Sequence, residues 1–442
     1  MPMALRAGFA EVDITPEPGV ERAGSLRRRI VEAILDPVFA QALVLESNGT
    51  RIGFVSLDLL SIRWSQVDEM RTAAGYLGIP KTNLMVAATH THSAPAAVSA
   101  GDTKRDQRYI EFMLERVAKA LREATSSLAP ARIAAASCTE GRVSFIRRCI
   151  MKDGSAHTHP PAMSPEIRCG EGVIDPELGV LCVKNAQDDV LGFVVNFASH
   201  PNHPLRGECI SADYPGQLSL ALKRAFGDRC VTVFLNGAFG NVHYRNPLDA
   251  EYVPDMTRMG NVLADDVRGL LPQMEFADSV SLEAETTTLK LPLRDIDGPY
   301  GLSAKHPQML GSSDESERKR IYENAVRKLR EKKKEKDYAL AEVQALTIGR
   351  DTAFVGIPAE YFAELGLRIK MQSQLTHTYV VGAANGMVGY VPTRHAFERG
   401  GYETTVSMWS KLAPEGGDML AEAAVDLLGR NPHRTRRIAG GE

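Results

Sequence analysis

The tripeptide His-Thr-His occurs twice in this chain of 442 residues, which holds only eleven histidines. The first copy, with His90 and His92, ends the apolar run NLMVAAT and is followed by SAP. Residues two apart on an extended strand point to the same face, so two imidazoles should emerge together at a strand end. Because imidazole is a common zinc ligand, this copy is a candidate half-site. The alternative is a pair of core or capping histidines.

A second histidine cluster repeats this pattern. The apolar run GFVVNFAS ends at His200, and Pro201 and His203 follow. Zinc sites need three or four ligands from rigid elements, so two strand ends with histidines would still need a carboxylate. The second triplet, at 157–159, follows MKDGS and precedes two prolines, so it is predicted to be a surface loop.

Short apolar runs and helical patterns must position these side chains. The segments FAQALVLES and RIGFVSLDLL flank the turn signal NGT, and LGVLCVKN and VLGFVVNFAS flank AQDD, so two hairpins are expected. Residues 107–126 and 214–226 have the pattern of helices, and the run CVTVFLN that follows is predicted to be a buried strand. This mixture predicts an α/β fold in which a mixed β-sheet is flanked by helices.

The chain is long enough for one large domain with insertions or for two domains. We expect a single domain over 1–430, with a charged helical insertion at 311–338 that is solvated along most of its surface, and a disordered tail at 431–442. A basic docking helix is the alternative role for 311–338.

Composition excludes several classes of function. The net charge of -3 gives no excess of positive charge that would attract a polyanion, so nucleic acid is not an expected partner. No run approaches the ~20 apolar residues of a membrane span, and the start lacks the apolar core of a signal peptide. The six cysteines form no C-x-x-C pair and are expected to be reduced thiols in a cytoplasmic protein. Self-association into a homo-oligomer stays open.

Several segments, in the same order, resemble the catalytic domain of the neutral/alkaline ceramidases. They are AGFAEVDITP, GFVSLDLL, THTHSAP, NFASHPNH, GIPAEYFAELGLRIK and NGMVGYVPT followed by YET. The resemblance implies the family's α/β catalytic fold, here without its C-terminal β-sandwich domain. It also implies one zinc ion per chain and hydrolysis of an amide bond.

The resemblance implies roles for individual residues. The metal ligands would be His90, His200, Glu360 and Tyr390. His92 is similar to a further active-site histidine of the family. The family's substrate arginine falls at Arg147, although its neighbour Arg148 is an alternative because Ile146 replaces the asparagine that precedes it in the family.

One segment departs from the family's pattern. Where the family has Gly-Asp-Val-Ser-Pro-Asn, this chain has FGNVHYRN, so Asn241 replaces the aspartate and His243 replaces the serine. A histidine can transfer protons near neutral pH, so His243 is predicted to be an acid/base or substrate-binding group, and a structural replacement is the alternative. Asp58, at the end of GFVSLD, is predicted to orient a ligand histidine; its alternative is a turn aspartate.

These inferences predict a zinc-dependent amidohydrolase in which metal-activated water cleaves an N-acyl bond. The catalytic residues would be His92, His243, Arg147 and Tyr390. The substrate is expected to be a small soluble molecule rather than ceramide. Alternatives are a metal-dependent esterase, a lyase or hydratase acting on a polar sugar-like substrate, and a non-catalytic zinc-binding protein.

Overall fold

A computed structural model describes residues 4–429 of the chain. The predicted tail at 431–442 therefore lies outside the described residues. Within the described range, no helix combines the length and the hydrophobicity that a membrane crossing would require. All six cysteines lie in this range and none is in a disulfide.

The strands, in chain order, are β1 (Arg6–Asp13), β2 (Ala33–Ile34), β3 (Phe39–Ser47), β4 (Thr50–Leu57), β5 (Leu84–Ala88), β6 (Ala129–Thr139), β7 (Phe145–Ile146), β8 (Arg148–Met151), β9 (Ala156–Thr158), β10 (Ile167–Gly170), β11 (Glu177–Asn185), β12 (Val190–Phe197), β13 (Cys209–Ile210), β14 (Val231–Asn236), β15 (Val242–His243), β16 (Leu282–Pro292), β17 (Tyr338–Ile348), β18 (Thr352–Gly356), β19 (Glu360–Tyr361), β20 (His377–Val381) and β21 (Tyr390–Val391).

The α-helices are α1 (Trp64–Gly75), α2 (Gln107–Ser126), α3 (Asp213–Phe226), α4 (Met256–Leu270), α5 (Glu315–Glu335), α6 (Ala363–Gln372), α7 (Arg394–Arg399) and α8 (Gly416–Gly429). Short 3-10 turns lie at Lys81–Asn83, Leu271–Gln273 and Tyr402–Thr404.

The larger sheet has eight strands in the order β14-β12-β11-β6-β1-β3-β4-β5. Its outermost pairs, β12 with β14 and β4 with β5, are parallel, and its other pairs are antiparallel. The predicted hairpins β3–β4 and β11–β12 are confirmed. Asn48 and Gly49 turn the first one with positive φ angles of 50° and 81°, a backbone that suits Asn-Gly.

A second sheet with the order β16-β17-β18-β20 packs against the first. Phe54 of the larger sheet contacts Phe354 of the smaller one with ring centroids 5.0 Å apart, inside a core shared by both sheets. Helices α1 to α4 cover the outer face of the larger sheet, and α6 and α8 cover the outer face of the smaller one. The predicted mixed α/β fold is confirmed, and the structure adds a second sheet that the sequence pattern did not reveal.

Local signals explain why the helices begin where they do. The carboxylate of Asp106 accepts hydrogen bonds from the backbone amides of Arg108 and Tyr109, which caps α2. Asp314 caps α5 in the same way through Glu317. Helix α5 lies inside the charged segment 311–338 and contributes Leu329 to the core around the second sheet.

Candidate metal centre

Four predicted site residues follow the carboxyl ends of strands from both sheets. His90 follows β5 and His200 follows β12 in the larger sheet. Glu360 follows β18, and Tyr390 follows β20 in the smaller sheet. Glu360 and Tyr390 then pair with each other in the short parallel ladder of β19 and β21. The packing of the two sheets therefore brings these four residues together in one buried site.

Asn236 ties the two histidine segments together. It is the last residue of β14, and its side-chain amide donates to the carbonyl oxygens of Thr89 at 3.0 Å and Ser199 at 2.9 Å. Each of these carbonyls belongs to the residue directly before a histidine of the site. A single buried amide thereby fixes the chain at the base of both His90 and His200.

The two imidazoles of the first triplet converge because the backbone turns, not because the strand continues. Strand β5 ends at Ala88, and His90 has a positive φ of 72°, which is uncommon and strained for a residue with a side chain. The ring centroids of His90 and His92 lie 5.0 Å apart. The predicted convergence is found, but the extended geometry assumed for it is wrong.

Backbone carbonyls orient three imidazoles. Nδ1 of His90 lies 2.7 Å from the Leu60 oxygen, Nδ1 of His92 lies 2.9 Å from the Gly24 oxygen, and Nδ1 of His200 lies 2.9 Å from the Phe239 oxygen. A carbonyl can only accept, so each Nδ1 carries a proton, and in the neutral form of each ring Nε2 presents a lone pair. The ligand nitrogens of His90, His92 and His200 lie within 4.8 Å of one another.

Glu360 supplies a carboxylate to this group. Its Oε2 atom lies 3.4 Å from Nε2 of His90 and 3.3 Å from Nε2 of His200, and it is buried without a hydrogen-bond donor among the described residues. Burial alone would raise the pKa of Glu360, but His90 and His200 hold it well below its usual range. The carboxylate is therefore ionised, as a metal ligand must be.

Burial keeps His92 and His200 neutral. Burial lowers the pKa of His92 to about 3, with a further contribution from His90. Burial and the nearby Arg147 lower the pKa of His200 well below its ordinary value. Neutral imidazoles beside an ionised carboxylate form the donor set that zinc and similar ions bind.

These observations test whether the residues present fit a metal ion. Nε2 of His90 and Nε2 of His92 are 3.3 Å apart, and both present lone pairs when the two rings are neutral. Oε2 of Glu360 adds a third acceptor, for which residues 4–429 provide no donor. Acceptors that face one another in a buried space repel unless a cation lies between them. The group fits a metal ion, and its chemistry does not by itself choose among zinc and other divalent ions.

Arg147 and Arg148 lie beside the histidines and share one counterion. Glu403 accepts from Nε of Arg147 at 2.8 Å and from Nη1 of Arg148 at 2.6 Å. Arg148 also donates to Glu171 and to the Gly400 carbonyl. Nη1 of Arg147 lies 3.2 Å from Nε2 of His200, and its Nη2 is buried without a partner in the part of the chain that the structure describes. Arg147 therefore faces the site, whereas Arg148 is fully engaged by the protein.

Tyr390 lies between Glu360 and Arg147. The guanidinium carbon of Arg147 is 5.4 Å from the centroid of its ring, and the ring of Tyr402 packs at 5.5 Å. Burial raises the pKa of Tyr390 well above its usual value, with Arg147 acting in the opposite direction. The side chain is therefore a neutral phenol in this environment.

His243 lies behind His200, with ring centroids 6.2 Å apart. Its Nδ1 accepts from the Arg245 backbone amide at 3.3 Å, while its Nε2 is buried and has no partner within the described range. The exposed His159, the last residue of the second triplet, packs on the other side with ring centroids 4.5 Å apart. His157 and Thr158 of that triplet lie in strand β9, so the prediction of a surface loop holds only for His159.

Two outcomes differ from expectation. Asp58 does not orient a ligand histidine. Its carboxylate accepts hydrogen bonds from the Phe39 amide and from the Gln41 side chain, so it ties the end of β4 to the start of β3. The prediction failed because the Leu60 carbonyl already occupies Nδ1 of His90. Conversely, His92 was not predicted as a ligand, yet its Nε2 lies as close to His90 as a shared ion requires.

Sequence reasoning missed three supports of the site, namely Asn236, Gly24 and Glu403. Gly24 has a φ of 92°, and a Cβ there would lie 2.2 Å from the His92 carbonyl oxygen. Adjacent arginines in an otherwise apolar setting signal a need for a buried carboxylate, which would have pointed to Glu403. No comparable signal identifies Asn236 or Gly24.

Comparisons with known proteins agree with this architecture. The neutral ceramidase of Pseudomonas aeruginosa is 24% identical over 99% of this chain and 74% of its own length. Its crystal structure superposes with a TM-score of 0.72 at 20% identity, covering 96% of this chain and 74% of that chain. The structure of a ceramidase complexed with C2 gives 0.76 at 20% identity, over 98% and 76%. No protein-family profile matches the chain. The resemblance inferred from the motifs is thus confirmed: the chain is similar in sequence to a neutral ceramidase and shares the fold of the ceramidase structures.

Proposed function

We propose that this chain is a zinc-dependent hydrolase that cleaves the amide bond of a small, soluble N-acyl compound with water. The observation that carries the proposal is the group of three imidazoles, His90, His92 and His200, beside the carboxylate of Glu360, whose Oε2 has no hydrogen-bond donor among the described residues. The similarity to a neutral ceramidase supports the hydrolysis of an amide bond in particular.

The ion would be held by His90, His200, Glu360 and Tyr390, with His92 within reach as a further donor. When bound, zinc supplies a Lewis acid that lowers the pKa of water and polarises a carbonyl group. The chain contributes the remaining functions: it orients the carbonyl, stabilises the charge that develops on its oxygen and transfers a proton to the leaving group.

Arg147 and Tyr390 are the groups that would stabilise the developing oxyanion. Nη2 of Arg147 is buried and has no partner in the described chain, so one of its donors is available. Burial raises the pKa of Tyr390 well above its usual value, so as a neutral phenol it would donate its hydroxyl proton to the oxyanion; this role is the alternative to binding the ion. Fixed donors in a buried site stabilise a transition state without reorganisation, which is the basis of oxyanion catalysis.

His243 and His92 are the candidate proton carriers. When water attacks the carbonyl carbon, a C–O bond forms, the C–N bond breaks, and the leaving nitrogen takes a proton. A neutral imidazole can accept that proton from the attacking water and deliver it. Nε2 of His92 presents the lone pair that could take the proton from water, because its Nδ1 donates to the Gly24 carbonyl. Nδ1 of His243 accepts from the Arg245 amide, so its Nε2, which no described residue engages, carries a proton and could donate to the leaving nitrogen.

The test combines metal analysis with turnover. The purified chain, its Glu360→Gln variant and the control Glu398→Gln, an exposed glutamate on α7, are analysed for bound metal and for cleavage of N-acyl compounds. We expect about one zinc per chain and turnover in the parent and the control, and loss of both in Glu360→Gln. Product analysis in ¹⁸O-water should show solvent oxygen in the released acid. An unsaturated product would instead favour elimination, and bound metal with no turnover on any substrate would favour a binding protein.

A further inference from the structure

A cavity of about 710 Å³ opens beside the proposed metal centre and is lined by His90 and Glu360. Volumes of roughly 300–1,000 Å³ are typical of sites for small molecules. One wall of the cavity is a face of the charged helix α5, and the loop at 98–102 forms part of another. Because Glu360 lines the cavity, a substrate could reach it there, and the other lining residues indicate which substrate chemistry fits.

Cationic side chains are prominent in this lining. Helix α5 contributes Lys328 and Lys332, which are spaced by four residues and therefore share one face of the helix. Arg63 and Lys411 line the cavity from other elements. None of these four forms an ion pair with the residues that the structure describes, although Lys328 lies close enough to influence the pKa of Asp102.

The acidic groups in the lining are already occupied. Asp102 pairs with Arg320, and Glu342 accepts two hydrogen bonds from Arg71 at 2.8 and 3.1 Å. The third, Glu360, belongs to the metal centre. Over residues 4–429, the cavity therefore has an excess of positive charge that no protein group balances.

Lys411 is the most informative of these cations because it is buried. Only 7% of its surface is exposed, and its Nζ donates to the carbonyl oxygens of Val388 and Met408 and to no carboxylate of the described chain. Burial and the nearby Lys332 lower the pKa of Lys411 to about 7. An anion bound between these two lysines would remove the repulsion and supply the missing counterion.

The same cavity also has an apolar side. Trp64 is 49% exposed and Leu340 is 57% exposed, and both line it together with Met387 and Met408. Large apolar side chains at the surface of a cavity are typical of a site that receives an apolar ligand group. The lining thus offers separate places for an acyl chain and for a charged group.

We propose that the substrate of this site is an N-acyl compound whose amine portion carries an anionic group, bound by Lys332 and Lys411 at the cavity next to Glu360. This inference rests on the proposed function and specifies its substrate class. A carboxylate or a phosphate would satisfy the same cations, so the experiment includes both.

The experiment compares compounds with one acyl chain and different amine portions. N-decanoylglycine carries a carboxylate, N-decanoylglycinamide is its neutral counterpart, and N-decanoyl-O-phosphoethanolamine carries a phosphate. Binding by calorimetry and kcat/KM are measured for the metal-loaded parent, Lys332→Gln, Lys411→Met and the control Lys334→Gln. Lys334 lies on α5, is exposed and does not line the cavity. Lys332→Gln changes a partly exposed side chain, so it should fold even if Lys411→Met does not.

We expect the parent to bind an anionic compound about tenfold more tightly than the neutral one. This preference should shrink in Lys332→Gln and Lys411→Met, persist in Lys334→Gln and weaken at high salt. The preferred anionic compound identifies the group. Preferential binding of an anion without turnover would support an anion site at Lys332 and Lys411 and contradict the proposed hydrolase. Equal binding and turnover of charged and neutral amides, unaffected by either lysine variant, would overturn the inference and leave the hydrolase intact.

Discussion

Glu360 and Tyr390 are direct partners in a parallel ladder of only two residues per strand, although they are distant in the sequence. The ladder places a carboxylate and a phenol side by side, because paired residues of neighbouring strands present their side chains on the same face. Neither side chain can therefore be moved without disturbing the other.

Replacing Tyr390 with Phe should lower kcat for amide cleavage by roughly 10²-fold, because a donor to the oxyanion is lost while the ring is kept. Tyr402→Phe is the matched control, since its ring packs on Tyr390 at 5.5 Å. Metal content separates two roles of Tyr390: loss of metal would identify it as a ligand, and retained metal as a donor. Unchanged kcat in Tyr390→Phe would contradict both roles.

Asn236→Leu should weaken metal binding by about 10- to 100-fold, because the amide that holds the segments before His90 and His200 is removed. Asn196→Leu is a close control: that amide is also buried and donates to two carbonyls, Leu235 and Val380, but supports neither histidine. Both variants should lose roughly 1–3 kcal/mol of unfolding free energy. Zinc titration against a chromophoric chelator distinguishes them, and equal affinities would show that Asn236 only stabilises the fold.

Gly24→Ala should disturb the site through two effects, the positive φ and the clash of the new methyl group with the His92 backbone. Gly19→Ala is the control, because Gly19 has a similar φ of 100° but no described atom lies within 4 Å of the place that its new methyl group would take. We expect reduced metal content and turnover in Gly24→Ala and near-parental values in Gly19→Ala. If both variants behave alike, backbone strain rather than contact with His92 is responsible.

His243→Ala should reduce kcat by about 10²-fold or more while leaving bound metal unchanged, as expected when a proton carrier is lost. His395→Ala, an exposed histidine on α7, controls for the loss of an imidazole elsewhere. Parental turnover in His243→Ala on the true substrate would mean that this residue merely fills the place of the family serine.

Stability should fall at low pH through Glu403. Burial would raise the pKa of this carboxyl, but Arg147 and Arg148 lower it from 4.5 to about 2. A depressed folded-state pKa means that the unfolded chain binds the proton first. The stabilisation is therefore present above about pH 4.5 and is lost as the pH falls toward 2.

Urea unfolding at several pH values measures this effect in the parent and in Glu403→Gln. Between pH 4.5 and 2 the parent should lose up to about 1.4 kcal/mol per pH unit more than the variant. At neutral pH the variant should be less stable by about 3 kcal/mol or more, because two buried guanidinium groups lose their shared charge. Parallel pH profiles for the two proteins would refute the assignment.

Much of the fold could be predicted where its signals are local. Asn48-Gly49 specifies the β3–β4 turn, and apolar spacing identified the helix at Gln107–Ser126 with its observed bounds. The packing of one sheet on another could not be predicted, because the strands of the shared core are buried on both faces by segments far away in the sequence. A continuous apolar run of this kind does not indicate which other segment packs against it.

The site divides in the same way. His90 and His200 end apolar strands and were identifiable as residue types, while Glu360 and Tyr390 depended on the family resemblance. Asn236 and Gly24 act through hydrogen bonds that involve backbone carbonyl groups. Every residue has a carbonyl group, so the pattern of side chains does not predict these contacts. Lys411 had no identifiable signal either, because its importance comes from burial beside Glu360 rather than from its neighbours in the chain.

The carboxylate that Arg147 and Arg148 share affects the net charge of the buried site. With Lys411 in its neutral form, the buried centre contains these two cations and three carboxylates, Glu171, Glu360 and Glu403, which leaves one net negative charge. A divalent ion would convert this to one net positive charge in a region that water barely reaches. Overall neutrality would then require a single anion, so the loaded centre should attract hydroxide, phenolate or carboxylate in preference to neutral ligands.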